Sequence, residues 1–202
     1  MDAFADCSNL KAVKCGSNIT EVGHRAFYFC SSLTSINLPD TVTTIGAHAF
    51  FYCSKLETYN MPSSVTYIYE KAFDGCSKLL KKENGVRYVG KWAVGFDNSV
   101  TSVTLRSDTV GIAERTFYQC SKLRTIELSS NMKYVCNYAF YFASSLTTVT
   151  LYKGISTIGF CAFDYCSNLS QVYFYGDYQD WANISIDKEN EDLRNAERQY
   201  KN

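Results

Sequence analysis

The chain has 202 residues, with 20 basic and 20 acidic side chains, a formal net charge of zero and 46% hydrophobic content. That balance lacks the basic footprint of a nucleic-acid binder or of a protein held on a membrane surface. No apolar run approaches the roughly 18 residues a membrane-spanning helix needs, so membrane insertion is not expected either.

From its first residues the chain repeats itself. Ala3, Phe4, Cys7, Ser8 and Leu10 return as Ala26, Phe27, Cys30, Ser31 and Leu33, then from Ala49 to Leu56 and from Ala72 to Leu79, in steps of 23 residues. The pattern resumes at Phe117, Cys120 and Leu123, at Phe140, Ala143 and Leu146, and at Phe163, Cys166 and Leu169. A period of about 20 to 50 residues marks a solenoid, in which each coil buries its apolar face only against its neighbours. Met1 leads straight into the middle of a repeat, with no signal peptide, so the chain reads as an excised fragment of a longer protein with Met1 added.

The coil from Leu33 to Tyr52 shows the chemistry of one unit. Leu33, Ile36 and Leu38 are expected inside, and the alternation Ile36-Asn37-Leu38 predicts a short strand with one buried face. Pro39-Asp40 ends it with a turn. Val42 and Ile45 begin a second, shorter strand, and Ala49-Phe50 form a corner in which the ring fills the coil. The phenylalanines from Phe4 to Phe163 then form an internal spine. Serine after each cysteine is expected to cap the corner.

Two sets of positions are left free by this core. Outward residues of the longer strand are Ser35 and Asn37, Thr58 and Asn60, Ser102 and Thr104, Thr125 and Glu127, and Thr148 and Thr150, a small, polar, almost uncharged face. Between each Phe and Cys lie Tyr28 and Phe29, Phe51 and Tyr52, Tyr118, Tyr141 and Phe142, and Tyr165. Exposed aromatic clusters mark partner sites. The competing reading is that these rings stack on neighbouring coils and only seal the corner.

Six of the nine cysteines, Cys7, Cys30, Cys53, Cys76, Cys120 and Cys166, share one column. Stacked coils hold equivalent Cβ atoms about 4.8 Å apart, beyond the roughly 3.8 Å a disulfide prefers. A ladder of free, buried thiols acting as inert apolar filler is expected.

The coil between residues 79 and 99 lacks Phe-x-x-Cys. Val86, Tyr88 and Val89, then Trp92 and Val94, flank Gly90 as a hairpin, which predicts a variant repeat within the stack rather than a projecting ligand loop. After Tyr173 the character changes again. Asp177 is placed to cap a short helix holding Trp181, and Ile184 and Ile186 alternate as one more strand.

Reactive constellations are sparse. His24 and His48 are the only imidazoles, and a catalytic role requires them to share a pocket with an activated thiol. Cys161 with Cys166, and His48 with Cys53, lack the further ligands a tetrahedral metal site needs. No enzyme activity, cofactor or metal is expected.

The Leu33, Ile36, Leu38, Pro39 core followed by Ala49-Phe50, Cys53 and Leu56 resembles the BspA-like family of leucine-rich repeats, over nearly the whole chain. The resemblance implies a repeat solenoid, mainly β, a right-handed superhelix of short strands and turns with little helix. It divides the chain into residues 1–175, about eight coils with the irregular one at 79–99, and a C-terminal cap at 176–202. It also implies a non-enzymatic module of a bacterial protein, extracellular or at the cell surface. Such a module would mediate adhesion or protein-protein interaction with a host or bacterial surface protein, and possibly with a glycan. Glycans rank second because no cluster of charged or amide residues around an aromatic platform is evident in the sequence. The alternative is a structural spacer or stalk of a larger cell-surface protein.

Overall fold

The computed structural model describes residues 2–201, a mainly-β solenoid of about eight turns with little helix. Two compact units share the chain. The first takes the residues up to Lys81 together with Tyr88–Gly90, and the second takes Lys82–Arg87 and everything from Lys91.

In the first unit, three-residue strands β1 (Ala12–Lys14), β3 (Ser35–Asn37) and β5 (Thr58–Asn60) alternate with two-residue strands β2 (Glu21–Val22), β4 (Thr44–Ile45) and β6 (Tyr67–Ile68). The longer strands form one parallel sheet and the shorter ones another. Register follows the repeat without slippage, pairing Val13 with Ile36 and Ile36 with Tyr59. Pairing at the repeat spacing keeps each inward residue above its equivalent, since a one-residue slip would turn every apolar side chain outward.

The second unit repeats the plan. Its longer sheet runs through β10 (Ser102–Thr104), β12 (Thr125–Glu127), β14 (Thr148–Tyr152) and β16 (Gln171–Tyr175). Its shorter strands are β11 (Gly111–Ile112), β13 (Tyr134–Val135) and β15 (Thr157–Ile158). Residues 81–96 hold β7 (Lys81–Glu83), β8 (Val86–Val89) and β9 (Trp92–Phe96), with Gly90 at φ 55° between the last two. Tyr88, which belongs to the first unit, and Trp92, of the second, are each buried, so neither ring projects as a ligand loop would. Trp92 stacks on Tyr134 at 5.9 Å and occupies the space a Cβ on Gly111 would need.

The corner between coils is built by a device that glycine marks at Gly75 but not at the positions that follow. Arg25, Phe29, His48, Tyr52 and Lys71, and in the second unit Arg115, Gln119, Tyr138, Phe142, Cys161 and Tyr165, all have φ between 52° and 57°. Two left-handed residues four apart turn alternate amides toward the next coil. The amides of Arg25, Phe27 and Phe29 donate to the carbonyls of Ala47, Ala49 and Phe51 at 3.0, 2.8 and 2.8 Å. Those of Ala26, Tyr28 and Cys30 instead close local turns onto Gly23, Arg25 and Phe27. Every amide from Arg25 to Cys30 thus has a partner, as burial demands. Serine closes the corner through its main chain rather than its hydroxyl: the Ser31 and Ser54 amides donate to Phe29 and Tyr52 carbonyls at 2.8 Å.

Spine rings stack nearly parallel within each unit, Phe4 on Phe27 on Phe50 on Phe73 at 5.3–5.4 Å and Phe117 on Phe140 on Phe163 at 5.0 and 4.7 Å. Beside them runs the cysteine column. All nine thiols are free, but the column is not inert filler and not uniformly buried. Cys30, Cys53 and Cys76 donate from Sγ to the carbonyls of Phe4, Phe27 and Phe50 at 3.0–3.1 Å, and Cys166 to that of Phe140 at 3.3 Å. Each thiol thus ties its coil to the one before, whereas Cys7 is exposed.

At the C-terminal end both ladders gain a strand. Helix α1 (Tyr178–Ala182) is capped by Asp177 in a reciprocal capping box with Asp180, and its Trp181 packs edge-on to Phe174 at 5.3 Å. Next, β17 (Ser185–Ile186) pairs with β15, and after helix α2 (Glu191–Asn195) comes β18 (Glu197–Lys201), paired with β16. Ile184 is buried just before β17. Spine amides of Phe117 and Phe140 donate to Ala139 and Ala162 carbonyls of the following coil at 2.7 Å. The Phe163 amide donates instead to Oδ1 of the fully buried Asn190 at 2.9 Å. Asn190 Nδ2 in turn donates to the carbonyls of Gly159, Asp187 and Lys188. One side chain therefore supplies what a further Ala-Phe corner would.

Replacing Asn190 by Ala orphans the buried Phe163 amide. The expected loss is about 2–3 kcal/mol, read from urea denaturation, while the control Asn131→Ala, at an exposed side-chain bond to Ser107, stays within about 0.5 kcal/mol.

Burial pushes the Cys30 and Cys120 thiols up to about 12, neighbouring Cys53 adding to the effect at Cys30, and raises Cys161 to about 11. Unfolded thiols ionise near 8.5, so the folded chain holds the extra protons and its stability falls as pH rises between roughly 9 and 12. Denaturation midpoints measured from pH 7 to 11 should be flat at first and then decline, and Cys30→Ala should flatten that decline.

Candidate functional site

The residues between Phe and Cys occupy two positions with different geometry. The first of each pair, Tyr28, Phe51, Tyr118 and Tyr141, is half-buried; the second, Phe29, Tyr52, Phe142 and Tyr165, is exposed by 38, 48, 41 and 51%. All four exposed rings sit on left-handed residues, and that backbone turn aims them outward.

In the first unit the rings form two stacked files. Tyr28 lies on Phe51 at 5.3 Å and 6°, and Phe29 on Tyr52 at 5.1 Å and 2°. Edge-to-face contacts join the files, with Tyr28 to Phe29 at 4.7 Å and Phe51 to Tyr52 at 4.8 Å. Gly75 closes the outer file, because a Cβ there would fall 2.8 Å from Cγ of Tyr52. The second unit repeats the arrangement with Tyr118 on Tyr141 at 5.5 Å and Phe142 on Tyr165 at 4.4 Å. The rings thus stack and remain exposed, so sealing the corner and presenting a surface are not exclusive.

Guanidinium groups border both files. Arg25 lies over Tyr28 at 4.0 Å, and Arg115 lies 5.1 Å from Tyr118 and 5.2 Å from Tyr138. These cation-π neighbours occupy the other left-handed position of the corner, four residues before Phe29 in one case and Gln119 in the other. No glycine or asparagine marks that position, and the sequence reading overlooked it.

His24 and His48 do approach, edge to face at 5.9 Å, but His48 packs on Phe51 at 5.2 Å and its imidazole is held below the usual range chiefly by burial. Among the described residues Nδ1 of His48 is buried without a hydrogen-bond partner, and no cluster of three metal-ligating side chains occurs. No helix among them is long and apolar enough to cross a membrane.

The strand-face residues lie apart from the aromatic corners. In the first unit Ser35 is half-buried and Asn37, Thr58 and Asn60 exposed, with Asn60 Nδ2 donating to Asn37 Oδ1 at 3.2 Å. In the second, Ser102 and Thr104 are exposed while Thr125, Glu127, Thr148 and Thr150 are half-buried. There Thr125 Oγ1 donates to Ser102 Oγ at 2.7 Å, and Glu127 accepts from Tyr152 Oη at 2.6 Å and Thr104 Oγ1 at 3.4 Å. Part of this face therefore spends its polar groups on cross-strand ladders.

A family model described as BspA type leucine rich repeat region, in six copies, matches residues 1–99 and 90–186. No curated protein matches the sequence. Among solved structures, a leucine rich repeat protein of T. pallidum is 23% identical over 94% of this chain and 85% of its own, with a TM-score of 0.40. One from Eubacterium ventriosum is 18% identical over 90% and 67%, at 0.46. The pneumococcal vaccine antigen PcpA is 16% identical over 94% and 73%, at 0.33.

Proposed function

The chain belongs to the BspA type leucine-rich-repeat family, and from that footing we propose that it is a non-enzymatic recognition module that binds a host or bacterial surface protein from an extracellular or cell-surface position. Family membership supports an interaction role. The observation that carries the choice of surface is the pair of aromatic files at the corners.

Rings at Phe29, Tyr52, Phe142 and Tyr165 are exposed; the amides of Phe29, Tyr52 and Phe142 donate to carbonyls of the next coil, and that of Tyr165 to Asp164 Oδ1. A surface of this kind loses little conformational freedom on binding, which is the main cost that preorganisation avoids. Tyrosine is also among the residues that most often dominate interface energetics. The polar strand face contributes hydrogen bonding through Asn37, Thr58, Asn60, Ser102 and Thr104, the members of it that stay exposed. Residues 176–202 serve this module as its C-terminal cap.

Paired Tyr52→Ser and Tyr165→Ser changes are expected to weaken binding to immobilised extracellular-matrix proteins and to intact epithelial or bacterial cells at least tenfold, with the melting temperature little changed. Thr58→Lys and Thr104→Lys should weaken it less. Equal loss from the strand-face variants would move recognition to the sheet. Absence of any binding by the unmodified chain would favour the spacer or stalk reading.

A further inference from the structure

A groove of about 580 Å³ lies in the second unit, beside the aromatic pair Tyr152 and Tyr175 and bounded by Lys153, Lys201, Asp177 and Asp180. Its size falls within the roughly 300–1,000 Å³ of small-ligand sites. None of its residues belongs to the corner files or to the strand-face positions above.

Tyr152 and Tyr175 are register partners on β14 and β16, and their rings stack at 4.8 Å and 14°. Tyr152 is anchored by its hydroxyl's bond to Glu127. On the other side of Tyr175 in the sheet is Lys201, but its ammonium turns away, donating to Gln199 Oε1 at 3.1 Å and lying 5.1 Å from the Tyr173 ring. Tyr175 is left 40% exposed, a flat apolar platform at the edge of the groove.

The carboxylates beside it are held rigid. Asp177 Oδ1 accepts from the Asp180 amide at 2.8 Å, and Asp180 Oδ2 accepts from the Asp177 amide at 3.1 Å. Each carboxylate thus spends one oxygen on the capping box and keeps the other. Gly176 lets them come close, since a Cβ there would sit 2.8 Å from the Phe174 ring and 3.1 Å from Lys153 Cβ.

We infer that this groove binds the pyranose ring of a neutral saccharide, with the sugar's C–H face on Tyr175 and its hydroxyls shared between the Asp177 and Asp180 carboxylates and the Lys153 ammonium. The charges decide between ligand classes. Two carboxylates disfavour an anion, while the Lys153 ammonium and the positive charge of Lys201 at the groove's edge disfavour a cation, so the set suits a ligand without net charge. A purely apolar ligand would leave the second oxygens of Asp177 and Asp180 and the Lys153 ammonium without the hydrogen bonds their desolvation requires. A ring with one apolar face and a rim of hydroxyls, each both donor and acceptor, satisfies the platform and both signs of charge.

The test is saturation-transfer NMR and calorimetry on the full chain with maltotriose, chitotriose and N-acetyllactosamine, alongside inorganic phosphate and putrescine as charged probes. At least one saccharide is expected to receive saturation and to bind with a Kd in the micromolar to low millimolar range. Tyr175→Ala should abolish that binding, and Asp177→Asn, which keeps a good helix N-cap, should weaken it at least tenfold while the melting curve is unchanged. Tyr52→Ala, in the first unit, should have no effect, which separates this site from the protein-binding surface proposed above. Binding of none of the three saccharides, tighter binding of phosphate or putrescine, or saccharide binding that survives Asp177→Asn unaltered would overturn the assignment.

Discussion

The structure depends on one constraint: in a stack of equivalent coils, each corner amide must find its partner either in its own turn or in the next coil. Alternating left-handed residues with right-handed ones meets it by sorting the amides. Odd members of the corner, as at Arg25, Phe27 and Phe29, reach forward to the next coil, and even members fold back on their own turn. Corners thereby become hydrogen-bonded ladders as regular as the two sheets they join, although none of their residues is a strand. The spine, the thiol column and the aromatic files all inherit their spacing from this ladder, which is why ring after ring stacks at close to 5 Å.

How much of this was legible in the sequence depended on whether a residue's identity reports its conformation. Inward positions did, because an apolar side chain at strand spacing has one place to go: Leu33, Ile36, Leu38 and Ile45 are all buried as expected. The thiol column was legible as free cysteines, but its bonds to Phe4, Phe27 and Phe50 carbonyls were not, since a sequence does not say which carbonyls lie within reach of sulfur. Left-handed positions were hidden more completely. Arg25, His48, Lys71 and Arg115 carry none of the glycine or asparagine preference that normally announces a positive φ.

The C-terminal segment shows a different kind of illegibility. Asp177 and Trp181 announced a capped helix because the signal is local. Asn190 announced nothing, because its role exists only in three dimensions: its side-chain oxygen stands where the other coils place an alanine carbonyl. The saccharide groove is hidden for the same reason. Its platform and its charges come from positions 152–153, 175–180 and 201, separated in sequence and brought together by the register of β14, β16 and β18.

What the fold requires of their positions supports the proposed role of the corner aromatics. A left-handed φ is free of steric cost for glycine and costs other residues on the order of 1 kcal/mol or more. Gly75 occupies this position in one coil and the corner accommodates it, with its carbonyl receiving the Ser77 amide as the Tyr52 carbonyl receives that of Ser54. The backbone would therefore be served as well or better by glycine at Phe29, Tyr52, Phe142 and Tyr165. Stacking between Phe29 and Tyr52, and between Phe142 and Tyr165, offsets part of the strain at roughly 0.5–1.5 kcal/mol per pair, but it leaves between a third and a half of each ring in water. Large, strained, partly wetted rings at a place where the fold is content with no side chain at all are difficult to account for by stability. They are readily accounted for by a partner that covers them.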